Sequence, residues 1–458
     1  MKVHFFTLGC KVNIYETGAM EEQFLKHGYE LTEGIADIYV INTCSVTNIA
    51  ERKSRQMLRR AKELNPKAII VACGCYAQVA SSEIANIPEV DIIIGNNEKT
   101  NIVNIIEDYK KNKEREALIG DVMHQNDFVD FGITTYTELN RAVIKVQDGC
   151  DRFCSYCIIP YARGKVRSRV PENILEEIKK IAQKGIKEVV ITGIHLASYG
   201  KDFKNEEVKE YRKKYGYDEQ YDEFNPKDDL QSGGFRLIEL LEQINKIDGI
   251  ERIRLGSLEP KLITENFIHR LTKIEKICPH FHLSLQSGCD KTLKNMNRRY
   301  TTAEFRSSIN LIRKYYKDVS LTTDIIVGFP GETDNDFEET YKFLTEIKFY
   351  KMHIFKYSPK KGTVAAKMSN QIDGKIKEER SKKLIELSDK NEEEYNRETI
   401  GKTVNVLFEE KVGEYYKGHT TNYITVNAKS EENVIDKIKE VKIEDTYKKI
   451  ETLGKIIN

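Results

Sequence analysis

The sequence predicts an α/β protein in three parts: an open parallel α/β domain, a partial (β/α)6 barrel and a small C-terminal β-barrel of OB-like size. Three observations predict it. Strand-like and helix-like stretches alternate in a first run ending near residue 95 and in a second, longer run from about Asn140 to Ser358, and the final segment holds short strands separated by turn residues. A chain of 458 residues exceeds one ordinary domain. The expected divisions are 1–125, 136–374 and 375–458.

In the first run the strands are VHFFTL, DIYVINTC, AIIVACGC and VDIIIG, with helices from Glu16 to His27 and from Ala50 to Leu64. Strand, helix, strand in repetition describes a parallel sheet. The polar stretch from Lys110 to Gln125 breaks the pattern and marks the boundary. In the second run the strands are AVIKVQ, EVVITG, RIRLGS, HFHLSL, LTTDIIVGF and KMHIFKYS, separated by helices such as Glu172 to Lys184 and Thr302 to Tyr316. In such barrels the loops after the strands carry the chemistry. A charged, Tyr-rich stretch from Gly200 to Gly234 interrupts the rhythm and reads as a surface insertion. A charged helix from Lys375 to Thr399 leads to the terminal strands TVNVLFEE, ITVNAK and VKIEDTYKKIETLGKI.

Composition limits the function. The formal net charge is +1, so nucleic-acid binding must come from local patches. No apolar run approaches the roughly 20 residues of a membrane helix, and the apolar stretch in MKVHFFTLGC is too short for a signal peptide. The expected location is cytoplasmic. In a reducing cytosol the nine cysteines read as thiols, metal ligands or redox groups.

DGCDRFCSYC places Cys150, Cys154 and Cys157 directly after the first barrel strand. Three readings exist: buried thiols packed as small hydrophobes, a zinc site that wants a fourth ligand, or a [4Fe-4S] cluster with one iron left open. Cys10, Cys44 and Cys75 each follow a strand of the first run, and strand ends on one edge of a parallel sheet can converge. Three ordinary buried thiols are the alternative. Cys73, two residues before Cys75, is expected by strand alternation to point to the same side.

CxxxCxxC with Tyr156 before the last cysteine, at the end of the first barrel strand, resembles the radical S-adenosylmethionine (SAM) superfamily. GCKVN, NTC, GCYAQ, DGCDRFCSYCIIPYARGKVRSR, ITGIHLASYG, SLQSG, MNRRYT, TDIIVGFPGET and YSPKKGT together resemble the methylthiotransferases of that superfamily over most of residues 1 to 370. The resemblance implies two [4Fe-4S] clusters, an auxiliary one on Cys10, Cys44 and Cys75 and a radical-generating one on Cys150, Cys154 and Cys157, with a C-terminal TRAM domain. It implies SAM as both methyl donor and source of the deoxyadenosyl radical, with a low-potential electron donor and a sulfur donor as partners. GCKVNIYET resembles the branch that acts on N6-threonylcarbamoyladenosine beside the tRNA anticodon, so the anticodon arm is the expected partner. The branches acting on isopentenyladenosine or on a ribosomal protein aspartate are the alternatives, and a two-cluster electron-transfer protein is the rival of another class.

Other candidates follow later strands. Gly193 ends the second strand and would leave room for the methionine amine, although such a glycine is commonly a turn. Ser257, Glu259, Gln286 and Arg298 stand where ribose or carboxylate could bind, and Gly328 to Thr333 where backbone could approach adenine. For RNA, ARGKVRSR offers Arg163, Lys165, Arg167 and Arg169 with no acid between them, and residues 251–318 hold 14 basic and 7 acidic side chains.

Overall fold

The computed structural model describes residues 1–132, 140–218 and 234–457. Among the described residues eighteen strands are formed. The first six are β1 (Lys2–Thr7), β2 (Glu30–Leu31), β3 (Ile38–Thr43), β4 (Ile69–Gly74), β5 (Ile92–Ile94) and β6 (Glu116–Leu118). They make one parallel sheet in the order β2-β1-β3-β4-β5-β6. β6 falls in the stretch expected to be a boundary; it pairs with β5 through Ile92–Glu116 and Ile94–Leu118, so the sheet continues where composition alone signalled a break. The helix Lys11–Lys26 begins five residues earlier than expected, directly after Cys10.

The second unit holds β7 (Arg141–Asp148), β8 (Arg167–Ser168), β9 (Glu188–Gly193), β10 (Arg252–Leu255), β11 (His280–His282), β12 (Ser320–Val327) and β13 (Lys351–Lys356). The six parallel strands form two sheets, β10-β9-β7 with antiparallel β8 at its edge, and β11-β12-β13. Single bridges, Ile253–Ile277 and Leu258–Leu283, join the two sheets. Alternation sorts the side chains. Ile144, Val146, Ile253, Leu255, Phe281, Leu283, Leu321 and Ile325 pack outward into a core shared with the surrounding helices. Residues of opposite parity, including Arg141, Arg254, His282 and Asp324, therefore line the lumen.

The last unit is a closed barrel of β14 (Thr403–Val412), β15 (Tyr415–Thr420), β16 (Thr425–Lys429), β17 (Ile438–Tyr447) and β18 (Glu451–Ile456) in the order β14-β15-β16-β18-β17. Its loop after β15 closes the N-terminal end of the larger barrel. Arg254 donates to the carbonyls of Thr421 (3.0 Å) and Thr420 (3.3 Å), Arg252 to those of His419 and Asn405 (both 3.0 Å). Tyr423 stacks on His280 with ring centroids 4.9 Å apart. Of the 200–234 insertion, residues 219–233 lie outside the described residues, as does the expected boundary at 136; Asn205–Tyr215 is helical.

Candidate active site

The loop carrying Cys150, Cys154 and Cys157 leaves β7 at the C-terminal rim of the lumen. Gly149 has φ +72°, and a Cβ there would lie 1.7 Å from the Lys165 carbonyl oxygen, so only glycine allows the close approach. Ser155 pins the loop: its N–H donates to Met296 O at 3.0 Å and its hydroxyl to Asn295 O at 2.8 Å. Burial, with the neighbouring Cys154 adding to it, pushes the Cys150 thiol up to about 12 and Cys157 higher still. Arg298 Nη1 lies 3.2 Å from Cys154 Sγ and Nη2 donates to Ser284 O, also at 3.2 Å. Tyr156 meets Phe329 edge-on at 6.5 Å.

Cys10, Cys44 and Cys75 stand at the ends of β1, β3 and β4, three neighbouring strands of the first sheet. Gly74, at φ +93°, ends β4 and lets Cys75 open a short helix. Strand alternation therefore does not relate Cys75 to Cys73, which is packed in the apolar core of this domain. A Cβ at Gly9 would come within 2.9 Å of Cys44 Sγ. Burial, with the charges of Cys75 and Cys10 adding to it, pushes Cys44 up to about 12. Cys10 is likewise raised by burial, against the lowering effect of Arg163.

Buried charges join the two triplets. Arg163 is fully buried; its Nε lies 3.3 Å from Cys75 Sγ, Nη1 is ion-paired with Glu16 and lies 3.3 Å from Asp148, and Nη2 donates to Asn13 at 2.8 Å. Lys145 Nζ bridges Glu16 at 2.7 Å and Asp148 at 2.6 Å. Asp148 in turn accepts from Gly149 N at 2.8 Å, one residue from Cys150. Burial alone would raise the Asp148 carboxyl, but Lys145, Arg163 and Arg167 hold it at about 2. Sequence reasoning missed this role because a buried cation and a solvated one look alike in a sequence.

ARGKVRSR therefore needs correction as an RNA patch. Arg163, Arg167 and Arg169 are at most 1% exposed and engaged with protein partners, Arg169 with Glu177 and Asp130; only Lys165 of the four is exposed. Arg252, Arg254 and Arg298 of the later basic stretch are also turned inward.

The remaining candidates divide. Glu259 is buried and holds Arg152 at 2.9 Å and His195 at 2.5 Å. Burial works against its charge, but His195, Arg152 and Arg298 keep the carboxyl at about 2. The space beside Gly193 is filled: a Cβ would lie 2.9 Å from Gln147 Cβ and Oε1. Gln286 sits at φ +72° and its backbone bridges to β12, accepting from Ile326 and donating to Asp324. Ser257 is exposed beyond β10. Gly328 N–H donates to Glu332 at 2.9 Å, which Arg380 clamps, so this turn is braced from within the protein.

Each triplet fits a thiolate-held iron–sulfur cluster in donor chemistry: three converging thiols, with a guanidinium 3.2 or 3.3 Å from one sulfur to offset the thiolate charge. Residues 144–344 match the Radical SAM superfamily and residues 2–95 match a family described as uncharacterized protein family UPF0004. A Bacillus subtilis protein named threonylcarbamoyladenosine tRNA methylthiotransferase MtaB is 38% identical over 96% of this chain and 93% of its own length. The Aquifex aeolicus protein of that name is 41% identical over 93% of this chain and 96% of its own. The chain belongs to the methylthiotransferase family of radical SAM enzymes. A relative from Caldicellulosiruptor saccharolyticus named tRNA-2-methylthio-N(6)-dimethylallyladenosine synthase is 34% identical over 96% of this chain and 89% of its own. Among solved structures, the cobalamin-dependent radical enzyme OxsB shares the fold of this methylthiotransferase at TM-score 0.51 and 14% identity, over 85% of this chain and 56% of that one. Membership implies SAM and a [4Fe-4S] cluster. Among the described residues no helix is long and apolar enough to cross a membrane.

Proposed function

We propose that this methylthiotransferase converts N6-threonylcarbamoyladenosine at position 37 of tRNA, beside the anticodon, to its 2-methylthio derivative. The observation that carries the reading is the pairing of two cysteine triplets across one buried ion network, Glu16, Lys145, Asp148 and Arg163. Cys150, Cys154 and Cys157 are assigned to the cluster that takes SAM, and Cys10, Cys44 and Cys75 to a second cluster. When bound, these groups supply the electron that splits the SAM sulfonium and an open iron for the sulfur to be transferred.

The chain's own residues do the rest. Arg298 fixes Cys154 and Tyr300, and Glu259 aligns Arg152 with His195 at the rim. Tyr156 and Phe329 pack edge-on beside the cysteine loop, while Tyr423 closes the opposite end. The three parts of the chain are assigned as an auxiliary-cluster domain over 1–125, a radical SAM core over 136–374, and a connecting helix with a TRAM domain over 375–458. The anticodon arm, a sulfur donor and a low-potential electron donor are its partners, in the cytoplasm.

The two relatives named for threonylcarbamoyladenosine, at 38% and 41% identity, favour this substrate over isopentenyladenosine, named at 34%. Mass spectrometry of tRNA nucleosides from a strain lacking the gene tests it. Loss of the methylthio-threonylcarbamoyl nucleoside, restored by the gene, is expected. Its persistence, with loss of methylthio-isopentenyladenosine instead, moves the assignment to the second substrate.

A further inference from the structure

The helix Asn48–Leu64 carries six basic side chains and two acidic ones, Glu51 and Glu63. The Thr47 hydroxyl caps its first turn, accepting from Ala50 N at 3.1 Å, and Leu58 and Ala61 bury one side in the apolar core beneath it. Burial of that side turns Arg52, Lys53, Gln56, Arg59, Arg60 and Glu63 outward together. The two other basic residues are used within the protein: Arg55 Nη1 donates to the Tyr76 hydroxyl at 2.7 Å, and Lys62 Nζ to Ala68 O at 2.8 Å. Arg52, Lys53, Arg59 and Arg60 are not. Among the described residues none of the four has an ion-pair or hydrogen-bond partner, whereas Arg306 and Arg397 of other helices are held by Glu346 and Glu393. The face is a track of four uncompensated cations, about 12 Å long from Arg52 to Arg60.

The track opens at one end on a cleft of about 610 Å³. Asn48 and Glu51 of the helix line it together with Lys360 and Lys361, and both cysteine loops contribute to its walls: Ser45 follows Cys44, and Tyr161 lies four residues after Cys157. Lys360 is 3% exposed and paired with Glu51 Oε1 at 2.9 Å, an oxygen that also accepts from Ser45 at 2.6 Å. Lys361 is exposed and has no partner among the described residues. Tyr161 is 45% exposed, its ring edge-on to the similarly exposed Phe153 with centroids 5.9 Å apart. Cations that track a backbone, leading to open aromatic rings on which unpaired bases can stack, are how proteins hold a single-stranded stretch of nucleic acid.

We propose that the outer face of the helix Asn48–Leu64 docks the anticodon arm: Arg52, Lys53, Arg59 and Arg60 hold phosphates of the stem, and the cleft takes a loop nucleotide, its phosphate on Lys361 and its base against Tyr161. The inference rests on the reading of tRNA as substrate, and it holds for either adenosine derivative because the contacts are to backbone and to a ring face. The face supplies the local positive patch that a chain of net charge +1 needs for nucleic acid, in place of the buried ARGKVRSR. A helix that lies on a lipid surface carries large apolar residues along its length. Here Ile49 and Leu64, the exposed large apolar residues of this helix, stand at its two ends, and the track between them is polar.

The test uses the reconstituted holoprotein with SAM and two labelled anticodon stem-loops, one carrying N6-threonylcarbamoyladenosine and one isopentenyladenosine. Fluorescence anisotropy gives affinity from about 50 to 200 mM salt. The double variant Arg59→Gln, Arg60→Gln, remote from the cysteines, is expected to lower the salt slope by about 1.5 units and to weaken both RNAs about tenfold at the lowest salt. Arg52→Gln with Lys53→Gln should do the same, while the control Lys382→Gln with Lys383→Gln, an equal loss of charge on the helix Gly374–Arg397, should change the slope by less than about half a unit. Tyr161→Ala is expected to cost about tenfold in affinity at an unchanged slope, with Tyr161→Phe close to wild type. Deoxyadenosine formation from SAM in the absence of RNA should be unaltered in the arginine variants. Unchanged slopes in both helix variants, or an equal drop in the control, overturn the docking surface. So does full RNA affinity with slowed deoxyadenosine formation under a protein reductant, which gives the face to an acidic electron donor instead. Turnover of the two RNAs by the wild type decides the substrate separately, since the loss in the helix variants is expected to be the same for both.

Discussion

Arg163 touches Cys75 and Glu16 with one guanidinium: Nε is 3.3 Å from the sulfur, while Nη2 reaches the carboxylate at 3.0 Å. A planar fork can do this and an ammonium cannot. Arg163→Ala leaves Glu16 and Asp148 short of a cation in a buried site, which costs about 3–5 kcal/mol. The expected outcome in denaturant titration of the apo-protein is a loss of that size, with iron uptake after reconstitution falling to about half. Arg163→Lys is expected to recover part of the stability but less of the iron, because charge returns without the contact to sulfur. Full iron uptake by Arg163→Ala would remove the arginine from any role at Cys75.

Glu259 gives a pH dependence of definite sign. Its carboxyl is held at about 2 against an ordinary value of 4.5, so its stabilising effect is present above the unfolded value and fades as pH falls from about 4.5 toward 2. The Glu259→Gln apo-protein is expected to be weaker than wild type by on the order of 3 kcal/mol at pH 7. The difference should shrink steadily through the acid range. A gap independent of pH would mean that the glutamate acts through packing and not through its charge toward Arg152 and His195.

The two triplets are expected to separate by function. Alanine at Cys10, Cys44 and Cys75 together should halve the bound iron yet leave reductive formation of deoxyadenosine from SAM. Alanine at Cys150, Cys154 and Cys157 should also halve it and abolish that product. Methylthiolated RNA is lost in both. Deoxyadenosine formation that depends equally on both triplets would argue against assigning one set to each task.

Charge in a sequence carries no information about burial, and ARGKVRSR is the instance. Its spacing suggested a phosphate-tracking face, but β8 turns Arg167 and Ser168 into the sheet, and Arg169 pairs with Glu177 behind it. The longer strands of the first two units, by contrast, were legible from their apolar runs, and the place of both cysteine triplets from the strand ends they follow, whereas the short β2, β6 and β8 were not. The Arg163–Glu16 contact spans 147 residues, and no local pattern encodes a pairing at that separation. The plain consequence concerns Lys165, the exposed member: Lys165→Gln should lower the salt slope of tRNA affinity by at most about one unit. A much larger drop would restore the stretch as an RNA surface.

Tyr423 joins the C-terminal barrel to the lumen through its ring. Arg254 stands 4.6 Å and Arg141 5.2 Å from the ring centroid, and His280 and His419 stack on the ring at 4.9 and 4.8 Å. The residue adopts φ +68°, a conformation that a tyrosine holds only when its surroundings compensate. Two cation–π contacts of about 0.5–2 kcal/mol each are enough to do so. Tyr423→Ala removes them and leaves the carbonyls of Thr420, Thr421 and Asn422, with the Asn422 side chain, to hold the loop. Hydrogen exchange is expected to quicken in residues 419–424 and at the start of β10, with β1, β3 and β4 unaffected. Tyr423→Phe, which keeps the ring, should exchange like wild type. If Tyr423→Phe loosens the loop as much as Tyr423→Ala, the hydroxyl and not the ring face holds the two barrels together.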